Sequence, residues 1–372
     1  MPIAKVEAIP LEMEVTPLSE DWGLAPYRSN HAAVESVTRV LVRLETTDGL
    51  VGWGEMLATL SSAEATVTVL EEVIGPEVVG RPVGDIQSFV ESFYFPYVKV
   101  QPYIGAVEMA LWDLLGKRHG APVHALLGGA TTDRVSMAYC VGMLPPEESR
   151  AHARKAHDAG YPALKTKAGP DWREDVDRLV AMADEVDGDL EFRLDPNQGW
   201  SFEDAIRAGA ALEDAGVYLQ YLEQPVEIDT YGTYRSLRTR LRTPIAVNED
   251  TYFRRNLYNL LREDAIDVAV VDIVPAGGIL RMKGLAGMAA EAGVSLSHHN
   301  GFDLGVKTAA VLHAVATTPA ITLPPDTVYY AWEDAIIENP FEVIDGAMAV
   351  RDDPGLGVTV DETAVERFRT DR

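Results

Sequence analysis

Hydrophobic and polar positions change their period along the chain. Between Val37 and Glu55 the run VTRVLVRLETTDGLVGWGE alternates or clusters β-forming residues around Asp48-Gly49, a dipeptide suited to a hairpin turn, so an antiparallel pair is expected to begin the protein. From about Ser62 to Gly120 the pattern becomes helical: Ala106, Met109, Ala110 and Leu114, at i, i+3, i+4 and i+8, make one apolar stripe. The first third reads as α+β. After Arg134 short apolar strands alternate with Ala-rich helices, the texture of β/α repetition. Three helices finish on nearly the same words, Asp158-Ala159-Gly160, Asp214-Ala215-Gly216 and Glu291-Ala292-Gly293, and a glycine there suits a left-handed helix end. Ser201 with Asp204 three residues on gives one of these helices a capping signal at its front.

Counting from each turn glycine, Gly160 leads after seven residues to Lys167, Gly188 after seven to Asp195, Gly216 after seven to Glu223, and Gly293 after six to His299. Each strand therefore ends on an ionisable residue. A strand of about six residues rises roughly 20 Å, enough to cross a barrel wall and deliver its last side chain to the carboxyl-end face, where β/α barrels keep their active sites. The longer spacing agrees: Lys167, Asp195, Glu223, Glu249, Asp272 and His299 follow one another at 28, 28, 26, 23 and 27 residues, one β/α unit each.

Asp195, Glu223 and Glu249 are three oxygen donors from three consecutive strands, without a thiol or imidazole among them, and magnesium is the expected occupant. A single strand-end carboxylate is as well explained by helix capping or an arginine partner; three converging anions need a cation. Lys165 and Lys167 flank Thr166 on one strand, so both ammonium groups point to one face. One is expected to meet a substrate carboxylate and the other to serve as a base. Asp272 ends DVAVVD and His299 ends VSLSHH, adjacent strands, so the aspartate is expected to fix the imidazole's tautomer. By alternation His298 shares a side with Leu296, which leaves His299 to face the barrel interior.

Composition narrows the partners. With 372 residues, 47% of them hydrophobic, the chain can bury a large core; its net charge of −26 disfavours nucleic acid and anionic membranes. One cysteine, Cys140, excludes an internal disulfide framework and a cysteine-based zinc cluster. The start MPIAKVEAIP has no signal-peptide pattern and no apolar run approaches a membrane span, so a cytoplasmic protein is expected.

These residues carry a family resemblance. ALKTKAG, with Lys165 and Lys167, resembles the K-x-K motif of the mandelate racemase subgroup of the enolase superfamily. GWGE (52–55), ALWDLLGK (110–117) and LLGG (126–129) look like its capping domain and junction; LDPNQGW, YLEQP, PIAVNE and VDIVPAGGI look like its successive barrel strands. The resemblance implies an α/β fold: a modified (β/α)7β TIM-like barrel over about 131–345, an N-terminal α+β capping domain over 1–130, and a C-terminal segment, 346–372, returning to the cap. It implies Mg2+ held by Asp195, Glu223 and Glu249, catalysis by Lys165, Lys167, Asp272 and His299, and Asn197 at the substrate. It also implies a loop near residues 16–32 closing over that substrate, and a homo-oligomer. In the related muconate-lactonising subgroup a lysine stands where this chain has Asp272, so Asp272 with His299 favours the mandelate racemase side. Two positions stay open: the third ligand is Glu249 or its neighbour Asp250, and the acid that relatives carry on the eighth strand is Asp326 or Glu333. The implied activity is α-proton abstraction from a small carboxylate, foremost dehydration of an acid sugar, with racemisation or epimerisation as the alternative and a non-catalytic sugar-acid-binding barrel as a remote third.

Overall fold

The computed structural model describes residues 1–17, 23–59, 62–93, 98–186, 188, 190–228 and 230–371. Strands β1 (Ile3–Glu14), β2 (Ser36–Thr46) and β3 (Val51–Leu57) form an antiparallel sheet in that order. The expected hairpin is β2–β3, turned at Asp48-Gly49 with Gly49 at φ +84°. It does not begin the protein, however, because β1 precedes it and pairs with β2 along almost its whole length. Alternation hides β1: four successive residues, Ala8 to Leu11, are all buried.

Helix α1 (Gln101–His119) lies across this sheet, with Ala106, Met109, Ala110 and Leu114 all fully buried. The contact is so close that a Cβ on Gly54 would stand 2.0 Å from the Ala106 carbonyl oxygen. Glycine at that point is a packing requirement.

Eight parallel strands follow: β4 (Ala138–Val141), β5 (Ala163–Lys167), β6 (Glu191–Asp195), β7 (Leu219–Glu223), β8 (Ile245–Val247), β9 (Val268–Val271), β10 (Ser295–His298) and β11 (Asp326–Thr327). Helices alternate with them: α2 (Pro146–Asp158), α3 (Trp172–Ala183), α4 (Phe202–Asp214), α5 (Tyr231–Arg240), α6 (Asn256–Arg262), α7 (Ile279–Glu291) and α8 (Val306–Ala316). The sheet order is β10-β9-β8-β7-β6-β5-β4-β11. A bridge between Leu296 and Ile321, with Leu323 N donating to Leu296 O at 2.9 Å, joins β10 to the segment entering β11 and nearly closes the ring. The result is the expected modified (β/α)7β barrel with a cap. Gly160, Gly216 and Gly293 end their helices at φ +77°, +78° and +74°, and the Ser201 side chain caps α4 by accepting from Asp204 N.

The C-terminal segment returns to the cap: helix α9 (Glu362–Phe368) is followed by Thr370 N donating to Pro10 O at 3.1 Å. Among the described residues no helix is long and apolar enough to cross a membrane.

Candidate active site

Regular strand length brings the ionisable residues to one rim. Lys167, Asp195 and Glu223 are the last residues of β5, β6 and β7; Asp272 and His299 follow directly on β9 and β10, and Glu249 lies two residues past β8. The strand register agrees, since Lys167 stands opposite Asp195 across β5 and β6.

Lys165 is the hub. Its Nζ donates to both Glu223 carboxylate oxygens at 2.7 Å and to Asp326 Oδ2 at 3.0 Å, and lies 3.1 Å from Asp195 Oδ2. Lys167 Nζ donates to the same Asp195 oxygen at 2.5 Å. Burial opposes the Lys165 charge, yet Asp195, Asp326 and Glu223 together hold its ammonium well above the usual lysine range. Asp195 is also desolvated, but Lys165 and Lys167 hold its carboxyl below the usual range. Glu223 goes the other way: burial, and then the Asp195 charge, push it up to about 8 despite the Lys165 contact. Asp195, Glu223 and Asp326 share the Lys165 ammonium; Lys167 brings a second cation to Asp195 and Arg193 a third to Asp326, which leaves Lys165 as the only one of the three cations paired with Glu223.

Glu249 and Asp250 differ in what surrounds them. Asp250 accepts from Gln224 Nε2 at 2.9 Å, from Asn256 Nδ2 at 2.6 Å and from the Tyr234 hydroxyl. Glu249 Oε2 is buried with no hydrogen-bond partner. An unpaired buried carboxylate oxygen is costly, and with the hard-oxygen donors of Asp195 and Glu223 it fits a divalent cation. Among the described residues, however, no three acidic or imidazole groups already converge at ligand distance; the Lys165 ammonium lies between Asp195 and Glu223.

On the far strands, Asp272 Oδ2 accepts from Lys307 Nζ at 2.7 Å and lies 3.4 Å from His299 Nδ1. Its other oxygen caps the turn after β9, accepting from Val274 N at 2.9 Å. Burial works against its charge, but Lys307 and then His299 hold the carboxyl below the usual range. His298 is fully buried, accepts from Ile273 N and is held down to about 4 by desolvation, whereas the His299 side chain keeps 24% of its surface exposed at the rim.

Asn197 makes its contact through its backbone, its N–H donating to Asp195 Oδ1 at 2.9 Å. It and Gln198 hold φ of +47° and +67°, and Gln224 after Glu223 holds +38°, so strained turns follow two of the site strands. Of the two eighth-strand acids, Asp326 reaches the centre, bonded to Lys165 and, through Oδ1, to Arg193 at 2.8 Å. Glu333 instead lines an outer cavity with Tyr329, Tyr330 and Trp332.

The expected covering loop is described except for residues 18–22. Tyr27 is buried among Lys165, Asp195 and Asp326, its ring 5.0 Å edge-on from Phe302, and Asn30 Nδ2 donates to Pro196 O at 2.6 Å. The cap thus sits directly on the strand end that carries Asp195. Sequence reasoning missed Tyr27, Arg193, Asp303 and Lys307. For Arg193 a signal existed, since it precedes Asp195 by two and so shares its face; the others come from loops and a helix that strand counting does not reach.

Comparison with known proteins agrees with this architecture. Residues 148–364 match the family described as "Enolase C-terminal domain-like", and residues 12–128 match the "Mandelate racemase / muconate lactonizing enzyme, N-terminal domain". Arabinonate dehydratase of Saccharolobus solfataricus is 29% identical over 342 residues, covering 89% of this chain and 90% of that protein. N-succinyl-L-Arg/Lys racemase of Bacillus cereus is 24% identical over 348 residues, covering 92% and 93%. Among solved structures, muconate lactonizing enzyme from Pseudomonas fluorescens complexed with muconolactone superposes with a TM-score of 0.90 at 25% identity, over 99% of both chains. Cap and barrel match the same family along nearly their full length, and the chain belongs to it: it is an enzyme of the mandelate racemase/muconate lactonizing enzyme family of the enolase superfamily.

Proposed function

We propose that the enzyme removes the α-proton of a sugar-acid carboxylate, with Mg2+ as its cation, and expels the β-hydroxyl to yield a 2-keto-3-deoxy acid. The observation that carries this reading is the ring order: an ammonium from β5 (Lys167), three carboxylates from β6 to β8, and an aspartate and imidazole from β9 and β10. Asp195, Glu223 and Glu249 would hold Mg2+, which when bound supplies positive charge to the substrate carboxylate and so makes the α-proton more acidic.

The chain's own residues do the rest. Lys165 adds a fixed positive charge beside the substrate carboxylate as the enediolate forms. Lys167 and His299, from different arcs of the ring, are the two proton-transfer groups: one takes the α-proton, the other protonates the departing hydroxyl, which leaves as water. The C–H and C–O bonds break, a C=C forms, and the resulting enol tautomerises to the keto acid. Tyr27 and the Asn30 contact close the rim against bulk water. Dehydration is preferred because the resemblance to the mandelate racemase subgroup implies mostly acid-sugar dehydratases, and arabinonate dehydratase is among the relatives.

The test is incubation with Mg2+ and a panel of aldonic and aldaric acids, with semicarbazide trapping 2-keto acid and NMR following α-deuterium incorporation. Keto acid from at least one substrate is the expected result. Exchange without keto acid overturns dehydration and leaves racemisation or epimerisation; binding without exchange overturns catalysis at this site.

A further inference from the structure

The glutamate of GWGE plays no part in the proton transfers above, yet it is fully buried and reaches from the cap into the barrel. Glu55 Oε1 accepts from Leu304 N and Oε2 from Lys307 N, both at 2.8 Å, so a cap residue seats the first turn of α8. Arg39, from β2, donates to Glu55 at 2.7 Å and to Gly301 O at 2.6 Å, and reaches Asp303 Oδ1 at 3.3 Å. Asp303 Oδ1 takes Lys307 Nζ at 2.7 Å, and the same ammonium bonds Asp272 Oδ2 at 2.7 Å. The chain of buried charges therefore runs from the cap sheet to the oxygen that faces His299.

We propose that Lys307 is a positioning residue for the Asp272–His299 pair, held in place by Glu55 and Arg39 of the cap. The inference rests on the reading of His299 as a proton-transfer group. On Asp272 Oδ2 the lysine contact, 2.7 Å, is shorter than the imidazole contact, 3.4 Å. Lys307 therefore fixes the carboxylate's orientation and takes up part of its charge. Without the ammonium, Asp272 turns its full charge on the imidazole, which then holds its proton more tightly. The other titratable groups facing His299 are His298 beside it and Asp326 from β11; Asp303 acts on His298, and Tyr252 lies near Asp272. None of these supplies a second cation to Asp272 Oδ2. Docking of the cap and alignment of the base thus become one physical event.

The experiment compares the Mg2+-loaded parent with Lys307→Met, Lys307→Arg and the double variant Lys307→Met/Asp303→Asn. The double variant removes one charge of each sign, so it carries the measurement if the single one fails to fold. Side-chain 15N NMR reads the His299 titration and tautomer, and α-deuterium exchange reads the pH profile. In Lys307→Met, or the double variant, the His299 titration and the acid-side limb of the exchange profile should move to higher pH by about one unit, ~10-fold in rate at a fixed pH on that limb. Lys307→Arg should restore most of the parent profile. An unchanged His299 titration and tautomer in a folded variant lacking the ammonium overturns the proposal. His299→Asn is measured beside them: if it keeps full exchange, the proposed function loses its second proton-transfer group, while the NMR titration still decides the Lys307 coupling by itself.

Discussion

Glu249 and Asp250 are neighbours in the chain, yet only one of them has its hydrogen bonds made. Asp250 is wedged among Gln224, Tyr234 and Asn256, and its carboxylate already serves to hold three elements together. Glu249 leaves Oε2 buried without a partner. From this contrast, Glu249→Gln should weaken Mg2+ binding at least ~10-fold with little change in stability. Asp250→Asn should do the reverse, costing about 1–3 kcal/mol of stability through its broken network and sparing most of the metal affinity. Calorimetric Mg2+ titration and thermal denaturation of the two variants separate these outcomes; tight Mg2+ binding by Glu249→Gln would shift the third ligand to its neighbour. The ambiguity between the two was plain in the sequence, because adjacent carboxylates at a strand end look alike to any count of spacing. Their hydrogen-bond partners arrive from positions 224, 234 and 256, and those decide.

Whole elements are held by residues whose motifs were legible long before their purpose was. In ALWDLLGK, Asp113 accepts from Trp53 N and Leu356 N, both at 2.9 Å, and from Lys117 Nζ at 2.7 Å, so one buried carboxylate ties α1 to the cap sheet and to the C-terminal segment. Glu108 on the same helix accepts from Ile279 N and Leu280 N, capping α7 of the barrel. The glycines of GWGE serve the same helix from the other side, by letting its backbone come close. Adding one methyl at Gly54 puts a carbon 2.0 Å from the Ala106 carbonyl, which forces α1 off the sheet. Gly54→Ala should therefore lose about 1–3 kcal/mol in urea unfolding. A variant as stable as the parent would mean that α1 can back away freely. Hydrophobic periodicity found α1 and its stripe, but a close backbone approach leaves no periodic trace.

Across the whole molecule, cap, barrel and tail meet at His313 on α8. Its Nδ1 accepts from His124 N at 3.3 Å and its Nε2 bonds Leu356 O at 3.2 Å, with the two imidazole rings stacked 5.3 Å apart. Burial holds His313 down to about 4, well under the usual imidazole value. A depressed imidazole means that the folded chain binds fewer protons than the unfolded one between about pH 6.5 and 4. The stability it contributes is fully present above pH 6.5 and is lost as pH falls through that window, at up to about 1.4 kcal/mol per pH unit. His313→Gln removes this group alone, so the variant should lose less stability on acidification than the parent, by that slope. Urea unfolding across pH 7 to 4 measures it; parallel pH curves for the two chains would show that the imidazole is not held neutral.

Much of the architecture could be read along the chain because a β/α unit has nearly constant length and a strand has period two. Those two regularities place Lys167, Asp195, Glu223, Asp272 and His299 at successive strand ends and make the barrel expected before any coordinate is known. Strand β1 escaped that reading, since a strand buried on both faces over Ala8 to Leu11 does not alternate. The tertiary structure decided who partners whom. Asp326 rather than Glu333 reaches Lys165, Lys307 comes to Asp272 from a helix 35 residues onward, and Arg39 and Glu55 arrive from another domain. Periodicity describes how one element presents its faces; a buried charge is satisfied by whatever lies within about 3 Å of it, and that distance depends on how separate elements pack.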